Sequence, residues 1–455
     1  PDLTWHDGLF HLVYSDVASF ASGYWDPQNY LITAPDITGP WSDPVRLHAH
    51  GFDASLFHDE DGTTWLLNMS ADWRPGRNRF GGIEIQQYDR EQRRLVGERR
   101  IIFTGTAAGL TEGPHLYRHD GWYWLVTAEG GTSWDHQVTV ARSRDLFGPY
   151  EVDPVGPLLT SVGRPDLTLQ KAGHGSLVRT QHGDWYLAHL VGRPYTPLGN
   201  CVLGRETAIQ KVDWTPGGWP AVPGGIPADE IAAPGLPEHP WPAEPATDHF
   251  DAPELGTAWS TLRRPATPDW VDLRSRPSHL RVYGGQSPVG KQTPSLVARR
   301  VGATHCSLET VVEFDPADHR QLAGITGYYN TQNWYYAYLT RADDGRRLLE
   351  VLSSNSGKRT AHPELSVDVT GVDRVGLRVV FDGPALRFAY HTGVGWQEIP
   401  ATFDATILSD EHAAREVDGE PAAWGFTGAF LGLWVQDLGA DGAYADYDHA
   451  TYLEP

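Results

Sequence analysis

A chain of 455 residues is too long for one ordinary core, so two or three domains are expected, with two as the first reading. Lys and Arg number 36 against 58 Asp and Glu, a formal charge of −22 that repels phosphate backbones and anionic headgroups. It argues against nucleic acid as a partner and for a neutral or cationic ligand. No apolar run approaches the length of a membrane span, and Cys201 and Cys306 fall in different halves of the chain, so a membrane partner, a disulfide framework and a Cys-based zinc site are all disfavoured.

In chain order, four segments share one plan of polar turn, Gly and aromatic-rich strand: HDGLFHLVYSD from His6, DEDGTTWLLNMS from Asp59, RHDGWYWLVTAEG from Arg118 and TQHGDWYLAHLVG from Thr180. Their glycines, Gly8, Gly62, Gly121 and Gly183, are 54, 59 and 62 residues apart. A second echo, APDITGPWSDPV from Ala34 and SRDLFGPYEVDPV from Ser143, recurs at the same stage of the repeat. Short, turn-bounded strands at a period near 60 predict propeller blades, and the lack of helical periodicity up to about residue 215 disfavours a βαβ barrel.

Nine residues before three of these glycines stand Asp53, Glu112 and His174. Equal offsets predict equivalent places on successive innermost strands, where side chains far apart in sequence converge on the axis. Such a pocket suits general acid–base chemistry. Asp53 and Glu112 sit beside Ala or Gly in an apolar, β-forming context, which is unfavourable for a carboxylate unless it is paired, hydrated or used. A lone His such as His174 is as readily a satisfied core residue. Arg205, after Gly204, could pair with Glu206 or clamp sugar hydroxyls. The Gly130–Gly131 pair lacks the Lys and helix of a phosphate loop, and His115, His119 and His136 lack zinc spacing and read as turn and surface residues.

The span 220–246 holds eight prolines and reads as an extended linker between a propeller at 1–219 and a second domain at 247–455. Beyond it, alternating strands and the turns Asp344-Gly345 and Asp382-Gly383 fit a jelly-roll-like β-sandwich. The expected fold is all-β throughout.

Five motifs, GFDASLFHD, TEGPHLY, TAEGGT, GHGSLV and LGRETAIQK, together resemble glycoside hydrolase family 43, in its β-xylosidase branch. The likeness continues through DHFDAPELGTAWSTLR, SLVARR, YYNTQNWYYAYL and FTGAFLGLWVQD, similar to the sandwich of that branch. It implies a five-bladed propeller, of which this chain carries four blades, and hydrolysis of terminal xylose or arabinofuranose with inversion. By motif, Glu112 is the general acid and Asp53 orients it and tunes its pKa. His174 and Arg205 line the pocket, Thr132 lies near it, and Phe426 is the aromatic that the sandwich lends to it. The family's base is an Asp of a first blade without counterpart here, since PDLTWHDG matches the second blade. Asp2 is therefore not assigned that role, and the chain by itself is expected to lack an inverting base. Where similar xylosidases carry an aromatic after NM, this chain has Ala71, with Trp73 two residues on, which opens the question of xylose preference.

The expected activity is thus a glycosidase acting on an oligosaccharide. The alternatives are an α-L-arabinofuranosidase, or a propeller that binds carbohydrate without turnover. Protonation and water attack need no cofactor; the resemblance leaves room for Ca2+ in the channel near His174. Assembly into a homo-oligomer stays open. Scarce cysteine is compatible with the cytoplasm, and secretion is not ruled against, because the chain opens at Pro1 without Met.

Overall fold

The computed structural model describes residues 1–17, 25–417 and 420–454. It divides into two compact units: Pro1–Gly192 with Glu206–Pro237 and Glu416–Ala422, and Arg193–Arg205 with Glu238–Arg415 and Ala423–Pro455.

The first unit is a series of four antiparallel sheets, each meandering outward from an innermost strand. The first sheet runs β1 (Asp2–His6), β2 (Leu9–Val17), β3 (Pro27–Ala34), β4 (Val45–Arg46), and the second β5 (Gly51–His58), β6 (Thr64–Ala71), β7 (Phe80–Asp89), β8 (Arg94–Phe103). The third is β9 (Glu112–His119), β10 (Trp122–Glu129), β11 (Gln137–Ser143), β12 (Glu151–Val152), with β13 (Leu159–Thr160) also on β11. The fourth is β14 (Gln170–Arg179), β15 (Trp185–Gly192), β16 (Glu206–Trp214), β17 (Pro220–Ala221). These are the blades that the repeat predicted.

The middle strands of the second and third blades, β6 and β10, are largely buried on both faces because each of these blades packs between two others. On β10, Leu125 joins Leu67, Ile83 and Ile85 of the second blade, while Trp124 and Val126 join Leu177, Leu187 and Trp219 of the fourth. Alternation along one strand therefore glues two neighbours at once. Leu3 and Trp5 on β1, with Val178 and Ile209 on the fourth blade, are about half exposed, on blades that each have one neighbouring blade in this chain.

The second unit is a sandwich. One sheet orders Trp259–Thr261, Ser295–Arg300, Phe430–Asp437, Gln321–Asn330, Asn333–Arg341, Arg347–Asn355 and Lys358–Ala361. The other orders Val271–Asp272, Leu280–Tyr283, Tyr444–Leu453, His305–Glu313, Arg374–Asp382, Ala385–His391 and Gln397–Glu398. Between them Leu308, Val312, Ile325, Leu377, Leu431 and Leu433 form a continuous apolar core.

The division differs from the one the prolines suggest in two places. Pro220–Ala221 is the outermost strand of the fourth blade, paired with Asp213–Trp214, and Trp219 and Val222 are buried beside it. Proline is tolerated there because an edge strand has no ladder partner on its far side. Extended, exposed chain begins only near Asp229. In addition Arg193–Arg205, expected in the propeller, belongs to the second unit: Val202 O accepts from Ala429 N at 2.7 Å, Cys201 O from Asp410 N at 2.9 Å, and Val202 and Leu203 enter the sandwich core.

Candidate active site

A β-bulge interrupts each of three innermost strands. Pairing jumps from Phe52↔Met69 to Ser55↔Leu67 on β5, from Glu112↔Ala128 to His115↔Val126 on β9, and from Gly173↔Leu190 to Gly175↔His189 on β14. The first bulged residue of each is left-handed: Asp53 at φ 54°, Gly113 at φ 56° and His174 at φ 47°. Bulges re-aim side chains at the end of a strand, and Asp and His are among the residues that accept this conformation.

The equal offset from glycine is thus off by one for Glu112, whose neighbour Gly113 is the true counterpart of Asp53 and His174. The reason is turn length. The turn between β9 and β10 is residues 120–121, whereas the turns between β5 and β6 and between β14 and β15 are 59–63 and 180–184.

The bulges meet. Gly113 N donates to Asp53 Oδ2 at 3.1 Å, setting that carboxylate against the backbone beside Glu112. The same oxygen lies 4.0 Å from His174 Nδ1, both side chains being partly exposed. A Cβ at Gly113 would fall 2.9 Å from the His174 ring, so the glycine gives that ring close access. Asp53, Glu112 and His174, 59 or more residues apart, are brought to one place.

Just inside lies a second row. Ser55 Oγ donates to Pro114 O at 2.5 Å, Leu56 N donates to Asp2 Oδ2 at 2.9 Å, and Leu177 N donates to the Tyr117 hydroxyl at 2.8 Å. Each of the first three blades thus satisfies an innermost backbone group of the next with a side chain. His115 Nε2 is 3.1 Å from Ser176 Oγ, and its Nδ1 is 3.6 Å from Asp2. Burial pushes the His115 imidazole down to about 3 and the Asp2 carboxyl up to about 6, the latter opposed by the Leu56 N–H. Neither His115 nor His136, which is 1 % exposed, is the surface residue that its spacing suggested.

Trp73, 41 % exposed, follows β6 at the end where Ser70 pairs with Gly51, and Thr132 follows β10 at the end where Ala128 pairs with Glu112. Both are therefore on loops at the bulged ends of their blades. Arg205 and Phe426 belong to the second unit, where Arg205 N donates to Phe426 O at 3.0 Å and the guanidinium carbon lies 5.1 Å from the ring centroid. Trp424 stacks on the other aromatic at 5.4 Å.

Among the described residues no group of three or more His, Cys, Asp or Glu is arranged to hold a metal, and no helix is long and apolar enough to cross a membrane. Near His174 the carboxylate of Asp53, with Glu112 beside Gly113, supplies oxygen, and calcium takes six to eight oxygens, water among them. The sequence reading missed Glu129, a fully buried carboxylate one residue past the partner of Glu112. Its only signal was position in the TAEGGT motif.

Residues 1–220 match the family described as Glycosyl hydrolases family 43, and residues 247–453 match the Beta xylosidase C-terminal Concanavalin A-like domain. The chain is 41 % identical to a xylan 1,3-beta-xylosidase of Vibrio sp, covering 100 % of this chain and 86 % of the relative. It is 40 % identical to xylosidase/arabinosidase 43B of Humicola insolens, over 98 % of this chain and 83 % of that protein. The crystal structure of a xylan beta-1,4-xylosidase from Bacillus halodurans C-125 superposes with a TM-score of 0.95 at 44 % identity, over 99 % of this chain and 86 % of that one.

Proposed function

The chain belongs to glycosyl hydrolase family 43, and from that premise we propose that it releases terminal xylose from xylo-oligosaccharides by hydrolysis with inversion. Glu112 is the proton donor to the departing glycosidic oxygen. Asp53 keeps that donor protonated and oriented. The observation that carries this reading is the 3.1 Å hydrogen bond from Gly113 N to Asp53, which fixes a second carboxylate against the backbone of the acid.

A carboxyl group must hold its proton at working pH to serve as an acid, and a neighbouring negative charge opposes its ionisation. The reacting water then attacks the opposite face of the sugar, assisted by a base about 6.5–9.5 Å from the acid. That base is not assigned to a residue of this chain. His174, partly exposed beside Asp53, is assigned hydrogen bonding to the sugar, as are Thr132 and Trp73 on the adjacent loops. Arg205 and Phe426 are assigned substrate contact on the resemblance of the LGRET and GFTGAF motifs alone. The acid chemistry requires no organic cofactor.

Action on α-L-arabinofuranosides is the second reading. It is favoured by Ala71, which removes an aromatic that similar xylosidases carry, and by a relative whose name joins both activities. Hydrolysis of an aryl β-xyloside and an aryl α-L-arabinofuranoside by the intact enzyme ranks the two. The first-formed sugar, read by NMR, is α-xylose if the reaction inverts. Unchanged hydrolysis of xylobiose by Glu112→Ala would remove that residue from the mechanism, and binding without turnover by the wild type would overturn the hydrolytic reading.

A further inference from the structure

Glu129 ends β10 and is fully buried, yet among the described residues its partners are all neutral donors. Its Oε1 accepts from Thr106 N and from Thr111 Oγ1, each at 2.7 Å, and its Oε2 accepts from Thr106 Oγ1 at 2.5 Å and from Thr139 Oγ1 at 2.7 Å. Four hydrogen bonds fill the accepting capacity of a carboxylate, so both buried oxygens are satisfied.

These partners are not scattered. Thr106 and Thr111 belong to the segment that leads into β9, and Thr111 is the residue before Glu112. The next residue past Glu129 ties the same segment again, since Gly130 N donates to Gly109 O at 2.9 Å. Gly105 is pressed so closely onto the cluster that a Cβ there would lie 1.9 Å from Thr111 Oγ1 and 2.8 Å from Glu129 Oε1. On the other side of Glu112, Gly113 N is held by Asp53. Both neighbours of Glu112 are thus hydrogen-bonded to carboxylates from other strands: Thr111 to Glu129 and Gly113 to Asp53.

We propose that Glu129 is a positioning residue for proton donation, holding Glu112 in line with the leaving oxygen through Thr111. The inference rests on the reading of Glu112 as the acid. It follows from the geometric demand of that step, because a donor displaced by about 1 Å can lose on the order of a hundredfold in rate. A side chain that only supported the fold would affect all substrates alike. One that aims a proton donor matters in proportion to how much the leaving group needs the proton.

Glutamine at 129 keeps the shape but turns an NH2 group toward hydroxyl and amide donors, breaking part of the clamp. The test compares xylobiose, a poor leaving group, with 2,4-dinitrophenyl β-xyloside, which departs without a proton. For Glu129→Gln in the intact enzyme, kcat on xylobiose is expected to fall about thirtyfold or more and kcat on the dinitrophenyl substrate by less than about threefold, with KM little changed. An equal fall on both substrates, or none on either, overturns the proposal. Should that variant fail to fold, Thr111→Val removes one of the four bonds and Thr111→Ser restores it. Selective loss in the first with recovery in the second supports the clamp, and no selective loss in Thr111→Val overturns it. Glu112→Ala is measured alongside. If its loss is equal on the two substrates, or absent, the acid role of Glu112 fails and the positioning role with it. If Glu112→Ala is selective and Glu129→Gln is not, the positioning role fails alone.

Discussion

The propeller and the sandwich are both antiparallel β structures, yet they place their polar groups differently. In the propeller, polar side chains are buried near the innermost strands: Glu129 is fully buried and Lys171 is 3 % exposed. Asp53, Lys171 and His174 also hold left-handed backbone there. In the sandwich the core between the sheets is apolar, and the larger ion-pair network is centred on Asp446, which is 4 % exposed and lies on an inner strand of one sheet. Arg276 bridges Glu313 at 2.9 Å and Asp446 at 3.0 Å, and Arg281 binds Asp446 at 2.7 and 2.8 Å. Asp410 is buried too, bound by the Tyr329 hydroxyl at 2.7 Å, and it lies in the stretch that supports Arg205 and Phe426. In the propeller the left-handed Asp53 and His174 and the buried Glu129 lie where chemistry is proposed, whereas the buried Asp446 of the sandwich is matched by arginines within the scaffold.

The contrast is open to test. The largest effect is expected for Glu112→Ala, about a thousandfold in kcat/KM on xylobiose, or about 4 kcal/mol of transition-state stabilisation, with the melting temperature nearly unchanged. Leu433→Ala, at a fully buried sandwich position, should do the reverse. It is expected to lower stability by about 3 kcal/mol in denaturant titration and leave kcat/KM intact. A matching loss of activity there would erase the division of labour. Asp53→Asn should lower kcat/KM about a hundredfold and, on the role proposed for Asp53, move the basic limb of the pH–rate profile to lower pH, because a neighbouring negative charge opposing ionisation of Glu112 is removed. A limb that stays in place would leave Asp53 an orienting role only.

The smallest effect concerns pH. Burial holds His48, His58 and His115 of the propeller down to about 3. In the unfolded chain each protonates near 6.5. Between those values the unfolded state takes up more protons, so stability is highest above about 6.5 and falls as pH drops toward 3. Asp2, raised to about 6, acts in the opposite sense: it favours the folded state at low pH, and that contribution is lost as pH rises through 6. Three histidines outweigh one carboxyl, and the propeller should lose about 2 kcal/mol between pH 7 and pH 6. The sandwich, whose Asp446 is held below its ordinary value by Arg281 and Arg276 against the effect of burial, should be insensitive in that window. Hydrogen exchange followed separately in the two units reads the difference, and parallel loss in both would contradict it.

The amino-acid sequence by itself determined the blades, because a turn, a glycine and an alternating aromatic strand are local features that recur with the repeat. It also determined the family through ordered motifs, and it singled out Asp53 and Glu112 as candidates, since each stands in an apolar setting that a purely structural residue would seldom share. Only the tertiary structure decided the bulge register that pairs Asp53 with Gly113 rather than with Glu112, the place of Pro220–Ala221 in the fourth blade, and the membership of Arg193–Arg205 in the second unit. Glu129 belongs with these. Its four bonds join a strand end to a loop and to the next strand, three of them from threonine hydroxyls, and hydrogen bonds of this kind leave no periodic trace in a sequence, because they are set by how neighbouring segments pack rather than by the order of residues along either one.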